Sequence, residues 1–141
     1  MAEPNEKFEI AFLDHVAIRV KDLNISVDWY EKVLGLRKYQ VQEWGIYSIF
    51  MLSNKSGVAL FPETLSDSEI DPKSKNVQID HFAFNVTNEN FEKAKQWFME
   101  LGLDFTFQDH QYFHSIYTKD PDGHTVELTT LVVDSESFYN T

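Results

Sequence analysis

An internal repeat limits the fold of this chain more than any other feature of its sequence. The segment FLDHVAIRVKDLNISVDWYEKVLGL in the first half is echoed by QIDHFAFNVTNENFEKAKQWFMELGL in the second. When His15 is aligned with His81, one extra residue before the second helix brings Gly35 onto Gly102. Self-similarity of this kind indicates two copies of one supersecondary unit.

Each copy has the pattern of a β-α-β-β-β module. A segment of alternating residues comes first, and an amphipathic helix follows it, with Asn24 and Asn88 as predicted N-caps. Each helix ends at Leu-Gly-Leu, where Gly35 or Gly102 can adopt the left-handed C′ conformation. Three shorter strands are predicted after each helix. The fold class expected is α+β, with two tandem modules forming a curved mixed sheet around a cup.

One domain is predicted to cover the whole chain, residues 1–141. Module one spans residues 8–62 and module two spans residues 77–133, to within a few residues. The segment PETLSDSEIDPKSKN between them is rich in Pro, Ser and charge without periodicity, which predicts an exposed connector over residues 62–76.

The composition excludes several classes of function. A net charge of −11 lacks the basic stripe that nucleic acids and anionic membranes require, so neither is expected as a partner. The chain has no cysteine, so a metal ion would have to be bound by His, Asp and Glu. No apolar stretch is long enough for a membrane span, and the first residues lack the pattern of a secretory signal. A soluble cytoplasmic protein that binds a small-molecule substrate is therefore expected.

Strand parity sorts the polar residues of the repeat, because successive side chains point to opposite faces of a sheet. One face of each strand is apolar and suited to pack against a helix; we call the opposite face of each sheet its cup face. The cup face of the first strand carries His15, and the corresponding strand of module two carries His81. In the last strand Val126 and Leu128 take the helix side, which places Glu127 on the cup face.

Two histidines and one glutamate on cup faces predict a metal site. Each histidine follows an Asp and precedes, by two residues, an Ala that leaves room beside it. If the cup faces curve towards one another, His15, His81 and Glu127 would form a three-ligand set with open positions. Such a set suits one divalent metal ion, with Fe(II) favoured and Mn, Ni or Zn as alternatives.

The same motifs resemble those of a known superfamily. DHVAIRVKDLNISVDWYEKVLGL, then DHFAFNV and DPDGHTVEL, are similar to the vicinal oxygen chelate superfamily of glyoxalases, fosfomycin-resistance enzymes and extradiol dioxygenases, from Phe12 to Leu131. The resemblance implies paired modules around one metal, ligands at the positions of His15, His81 and Glu127, and homodimerisation. It also implies that the cup forms either within one chain or by exchange of modules between two chains.

The resemblance allows a fourth ligand, as in glyoxalase I, near the end of module one. Matching GVALF to HTVEL places Leu60 opposite Glu127, so this fourth carboxylate is expected to be absent. A set of two histidines and one glutamate resembles that of extradiol dioxygenases and fosfomycin-modifying enzymes. The sequence therefore favours a ring-cleaving dioxygenase that acts on an aromatic substrate.

Two further residues are candidates for catalysis. Tyr117 lies ten residues before Glu127 and is similar in placement to a tyrosine that contacts substrate in both families; a core tyrosine is the structural alternative. Histidine titrates near neutral pH and can act as an acid or base. His110 is preferred to His114, whose parity is wrong if Tyr117 points into the cup.

Two other functions remain as alternatives, and a third is disfavoured. The disfavoured one is a phosphonate-directed thiol transferase, which needs a cationic pocket, whereas Arg19 is the one basic side chain predicted on the cup face. A glyoxalase-like lyase or isomerase can use the same ligands. A bleomycin-resistance-like binding protein without catalysis would stack a flat ligand on aromatic side chains. The side chains predicted for that stacking are Trp44, Phe50, Phe107 and Phe113.

Overall fold

The structure, a computed structural model, describes residues 8–40, 42–45, 49–64, 70–71 and 73–139. Module one contains four strands and one long helix: β1 (His15–Val20), α1 (Leu23–Leu34), β2 (Arg37–Tyr39), β3 (Ile49–Ser53) and β4 (Ser56–Pro62). Module two repeats this order and adds a short final helix: β5 (Phe82–Asn85), α2 (Asn88–Glu100), β6 (Thr106–Asp109), β7 (Phe113–Lys119), β8 (Thr125–Leu131) and α3 (Ser135–Tyr139). None of the helices in these ranges has the length and hydrophobicity needed to span a bilayer.

The two long helices begin at side-chain caps that differ from the predicted ones. Asp22 caps α1 by accepting a hydrogen bond from the backbone of Ile25, and Thr87 caps α2 in the same way. The predicted N-caps Asn24 and Asn88 were wrong, because both residues already lie inside their helices. The predicted ends are confirmed: Gly35 and Gly102 have φ of 67° and 68°, in the left-handed region.

The strands form two four-stranded mixed sheets, in the orders β1-β4-β3-β2 and β5-β8-β7-β6. In each sheet the first strand of the module pairs in parallel with its last strand, while the remaining pairs are antiparallel. The α+β class and the two tandem modules are thus confirmed. The predicted curved sheet takes the form of two separate sheets with the same topology.

The two sheets share one hydrophobic core. Ile18 and Val20 of β1 belong to the same buried cluster as Val126 of β8, and Phe82 and Phe84 of β5 pack against that cluster. All five lie on the helix side of their strands. Each sheet therefore turns its helix side towards the shared core, and the two cup faces of one chain look away from each other.

A buried polar cluster joins α1 to the turn between β7 and β8. The hydroxyl of Tyr30, which is fully buried, donates to Asp120 at 2.7 Å, and Nδ1 of His124 lies 2.8 Å from the same carboxylate oxygen. Asp122 accepts a further hydrogen bond from the hydroxyl of Ser26. We call these residues the inter-module latch. They connect the helix of module one to module two through charged hydrogen bonds.

The ionisation of the latch depends on its own contacts. Burial acts to raise the pKa of Asp120, but hydrogen bonds from His124 and Tyr30 outweigh it and hold that pKa below its usual value. The hydrogen bond to Asp120 raises the pKa of His124, against the opposing effect of burial. The stability that Asp120 contributes is therefore lost as the pH falls through the lowered pKa of its carboxyl. The stability that His124 contributes is lost as the pH rises through the raised pKa of its imidazole. The latch stabilises the fold most between the ordinary pKa values of these residues, 3.8 and 6.5.

Replacing Tyr30 with Phe should lower the free energy of unfolding by about 1.5–3 kcal/mol, the usual range for a hydrogen bond to a charged group. The change removes only the hydroxyl that donates to Asp120 and keeps the buried ring. Urea unfolding at pH 6 measures the effect. Tyr39→Phe is the matched control, because Tyr39 is exposed on β2 and should show almost no change. Equal stabilities of the two variants would contradict this role for the latch.

Candidate metal centre

The cup face of the second sheet brings His81 and Glu127 together. In the parallel pairing of β5 with β8, Ala83 lies opposite Glu127. His81 precedes Ala83 by two residues, so its side chain is on the same face and lies beside that carboxylate. Nε2 of His81 is 2.9 Å from Oε1 of Glu127. Glu127 is only 7% exposed. A carboxylate buried on an otherwise accessible sheet face requires a partner, and here the partner is an imidazole.

The spacing of these two donor atoms fits a divalent metal. Two metal–ligand bonds of about 2.1 Å at a right angle span about 3.0 Å between the ligand atoms. The observed 2.9 Å between Nε2 of His81 and Oε1 of Glu127 is close to that value. The other ring nitrogen of His81, Nδ1, lies 2.7 Å from Asp80, which leaves Nε2 as the atom directed at Glu127. A hydrogen bond of Asp80 with His81 lowers the pKa of the Asp80 carboxyl.

Tyr117 and His110 continue this group of side chains. Tyr117 lies directly opposite Glu127 in the pairing of β7 with β8, and its ring packs edge-on against His81 at 5.7 Å. Nε2 of His110 is 2.8 Å from the hydroxyl of Tyr117. Burial and then the charge of Glu127 raise the pKa of that hydroxyl, so it stays protonated as a donor. The structure thus joins both predicted catalytic residues to two of the predicted metal ligands.

The first sheet carries the corresponding half of the repeat with different chemistry. His15 has the same position as His81, and its Nδ1 lies 2.7 Å from Asp14. Ala17 pairs with Ala59 in β4 as Ala83 pairs with Glu127 in β8, so Ala59 occupies the place of the glutamate. Phe50 pairs with Ala59 as Tyr117 pairs with Glu127.

The predicted equivalence of Leu60 and Glu127 was wrong. Leu60 is fully buried in the shared core, opposite Ile18 and Ile49, on the helix side of β4. A shift of one residue in register moves a side chain to the other face of the sheet, and the true counterpart is Ala59. Module one still offers no carboxylate at this position, because Ala59 has no ligand atom.

His15 is not part of the group around Glu127. It lies on the cup face of the first sheet, which looks away from the second, and its ring packs against Phe50 at 4.9 Å. Within the described part of the chain, no set of three metal-ligating side chains comes together. One chain therefore supplies two of the three predicted ligands at one place and the third at another.

Other predicted features of the cup face are changed by the structure. Lys119 lies two residues after Tyr117 on β7 and therefore shares its face, so Arg19 is not the one basic side chain there. Strand parity was the signal that would have identified it. Phe107 packs against Phe91 of α2, on the helix side, and was wrongly assigned to the ligand-stacking surface. Phe113 packs against Phe138 of α3. The side chain of Trp44 lies outside the described residues.

Comparisons with known proteins agree with this architecture. A family model described as Glyoxalase/Bleomycin resistance protein/Dioxygenase superfamily matches residues 12–128. Among curated relatives, the chain is 28% identical over 125 residues to "Metallothiol transferase FosB" of Staphylococcus epidermidis, covering 86% of this chain and 83% of that protein. It is 29% identical over 116 residues to "Glutathione transferase FosA" of Serratia marcescens, covering 82% of this chain and 78% of that protein.

A solved structure described as a glyoxalase/dioxygenase from Nostoc punctiforme superposes on 94% of this chain and 97% of its own, with a TM-score of 0.74 and 20% identity. At this identity the similarity concerns the fold alone. It supports the two-module architecture that the repeat predicted.

Proposed function

Because this chain belongs to the Glyoxalase/Bleomycin resistance protein/Dioxygenase superfamily, we propose that it is a metal-dependent enzyme that acts on a small oxygen-bearing molecule. The pairing of His81 with the buried Glu127 is the observation that carries this proposal. A purely structural pair gains nothing from lying on a cup face beside Tyr117 and His110. We expect transfer of a thiol to an electrophilic carbon as the reaction, in line with the names of the curated relatives.

The site is completed by a second copy of the chain. Each cup face of one chain looks outward, so His15 of one copy can reach the pair of His81 and Glu127 only in another copy. The homodimer expected from the resemblance would provide two such sites. Large apolar side chains are exposed near β1 and β5 and support an interface between two copies of the chain. They are Phe8, Ile10, Leu13, Val77 and Ile79.

The three ligands fit a borderline divalent metal. Two imidazole nitrogens and one carboxylate suit Fe(II), Mn, Ni and Zn. When bound, such an ion supplies Lewis acidity that polarises an oxygen of the substrate. His15, His81 and Glu127 would hold it, and Leu60 takes no part.

Tyr117 and His110 have separate tasks in this proposal. The Tyr117 hydroxyl, protonated and adjacent to Glu127, donates a hydrogen bond to the substrate oxygen on which negative charge develops. His110, at 2.8 Å from that hydroxyl, orients it and can exchange a proton with it. In thiol transfer the sulfur–carbon bond forms, a carbon–oxygen bond breaks, and the proton of the thiol is finally taken up by the released oxygen.

The charged residues of the cup faces limit the charge of the substrates that can bind. Arg19 and Lys119 are basic residues of the cup faces, yet Arg19 already donates to the carbonyl of Pro62 and Lys119 to Thr125. With a net charge of −11 on the whole chain, a neutral or weakly anionic substrate is better suited than a dianion. Ring-cleaving oxygenation of a catechol is the second candidate, favoured by the His110–Tyr117 pair as a proton-exchanging group beside the site.

Untagged protein purified without chelators should contain close to one metal ion per chain. If some sites are empty after purification, anaerobic loading with Fe(II), Mn, Ni or Zn should raise the metal content to one ion per chain. Loaded protein is then given a thiol with a panel of neutral and anionic epoxides, and separately catechols with oxygen. Mass spectrometry of thiol adducts and an oxygen electrode give the two readouts. Tyr117→Phe should keep its metal and lose about 100-fold or more in turnover.

Each outcome of this assay separates the candidates. Metal-dependent thiol adducts support the proposed transfer, while oxygen uptake with catechols alone would select the dioxygenase. A metal-bound protein that is inactive in both assays would favour the glyoxalase-like lyase or isomerase. Protein that stays metal-free after loading would contradict the proposal and favour a binding protein without catalysis.

A further inference from the structure

Both candidate metal-binding histidines have a carboxylate on the ring nitrogen that faces away from the site. Nδ1 of His15 lies 2.7 Å from Oδ1 of Asp14, and Nδ1 of His81 lies 2.7 Å from Oδ1 of Asp80. The two contacts have the same atoms and the same length in the two halves of the repeat. They occur in different surroundings, since one sheet has Glu127 at this level and the other has Ala59.

This contact between two adjacent side chains requires a backbone that departs from a regular strand. Adjacent side chains in a regular strand point to opposite faces and cannot reach each other. Asp14 immediately precedes β1, and Asp80 precedes the first paired residue of β5, Phe82. The chain therefore enters each strand in a conformation that lets the aspartate turn towards the histidine after it.

The aspartates contribute little to the fold itself. The side chains of Asp14 and Asp80 are 66% and 81% exposed, and ion pairs with so much solvent contact add little stability. A hydrogen bond from Nδ1–H to a carboxylate does, however, decide which ring nitrogen carries the proton. It leaves Nε2 with a free electron pair and fixes the rotation of the ring.

We propose that Asp14 and Asp80 are positioning residues, each holding the Nδ1 proton of the following histidine so that Nε2 is presented as a metal ligand. The inference rests on the proposed function, because it assumes that His15 and His81 bind the metal. It extends that function to two residues outside the ligand set, one at the aligned position of each copy of the repeat.

Zinc affinity of the full-length protein tests the role directly. Asp80→Asn and Asp14→Asn, which keep the size of the side chain, should each weaken Zn(II) binding about 10- to 100-fold in chelator competition. The double variant should weaken Zn(II) binding more than either single variant, because each aspartate acts on a different ligand of the same metal ion. Asp28→Asn is the control for charge, since it removes one exposed carboxylate from α1 and should leave the affinity unchanged.

Nitrogen-15 NMR of metal-free protein gives a second readout that is independent of activity. The His15 ring is used as the probe, because Ala59 takes the place of Glu127 in its own sheet. Wild-type His15 should carry its proton on Nδ1, and Asp14→Asn should shift it to a mixture of both tautomers. Thermal unfolding of the variants should match wild type within about one degree, because the exposed carboxylates hold no core contact.

The outcomes distinguish this inference from the proposed function. If both Asn variants bind Zn(II) as tightly as wild type while His81→Gln loses it, the positioning role is overturned and the metal site stands. If His81→Gln binds Zn(II) as tightly as wild type, the metal site itself is wrong and the positioning role falls with it.

Discussion

Replacing His81 with glutamine should weaken metal binding more than 100-fold, beyond the range of about 10- to 100-fold typical of residues behind the ligands. The change removes the imidazole nitrogen that lies 2.9 Å from Glu127. Glutamine keeps an N–H that can still donate to Glu127, so the buried carboxylate is not left without a partner. Metal content after anaerobic loading and Zn(II) competition measure the effect.

A matched histidine on the same sheet provides the control for His81→Gln. His114 belongs to β7, but its ring packs against Phe107 on the helix side, at 5.2 Å. His114→Gln should therefore keep full metal binding. Circular dichroism should be the same for both variants. Unfolding of His81→Gln, or equal metal loss in the two variants, would mean that His81 is structural rather than a ligand.

Much of the second-sheet site could be predicted from the sequence, because strand parity alone places its residues on the cup face. Alternation of apolar residues places Val126 and Leu128 on the helix side, and both are buried there. Glu127 must then occupy the cup face, where the structure has it. The repeat also predicts that the two halves have the same topology, and the glycines predict where α1 and α2 end.

The fourth ligand position was misplaced although strand parity locates it. Val58 and Leu60 are apolar, as Val126 and Leu128 are, so parity puts Ala59 on the cup face. Aligning GVALF with HTVEL end to end shifted module one by one residue, and a shift of one residue moves Leu60 to the wrong face. The predicted N-caps were wrong because the pattern locates a helix start only to within one or two residues, and the true caps, Asp22 and Thr87, lie that close to Asn24 and Asn88.

The relative placement of the two modules cannot be predicted from strand parity. Each apolar strand face must pack against another element, and either a helix of its own module or part of the other module can fill that role. Contacts specific to this chain settle the arrangement. The inter-module latch, with Tyr30 donating to the buried Asp120, and the indole of Trp97 donating to the carbonyl of Lys32, tie module one to module two within the chain. Back-to-back packing then separates His15 from Glu127.

Mixing two inactive variants should restore metal sites if each site is shared between two chains. His15→Ala leaves His81 and Glu127 intact, and Glu127→Ala leaves His15 intact. A heterodimer of the two has one complete site, built from His15 of the second variant and the His81–Glu127 pair of the first, and one site lacking two ligands. With random pairing, half the dimers are mixed and about a quarter of the wild-type sites return.

The complementation is measured as tightly bound Zn(II) per chain after the variants are unfolded together and refolded. Each variant alone should bind almost none under the same treatment, and a mixture of His15→Ala with His81→Ala should recover the same quarter, because its intact site also draws on both chains. A mixture of His81→Ala with Glu127→Ala should recover nothing, since both changes fall in the same half of the site. If all three mixtures stay metal-free while wild type refolds to full occupancy, the ligands come from one chain and the back-to-back arrangement is not the one that binds metal. Recovery in the first two mixtures and not in the third is expected only from a site shared across the dimer.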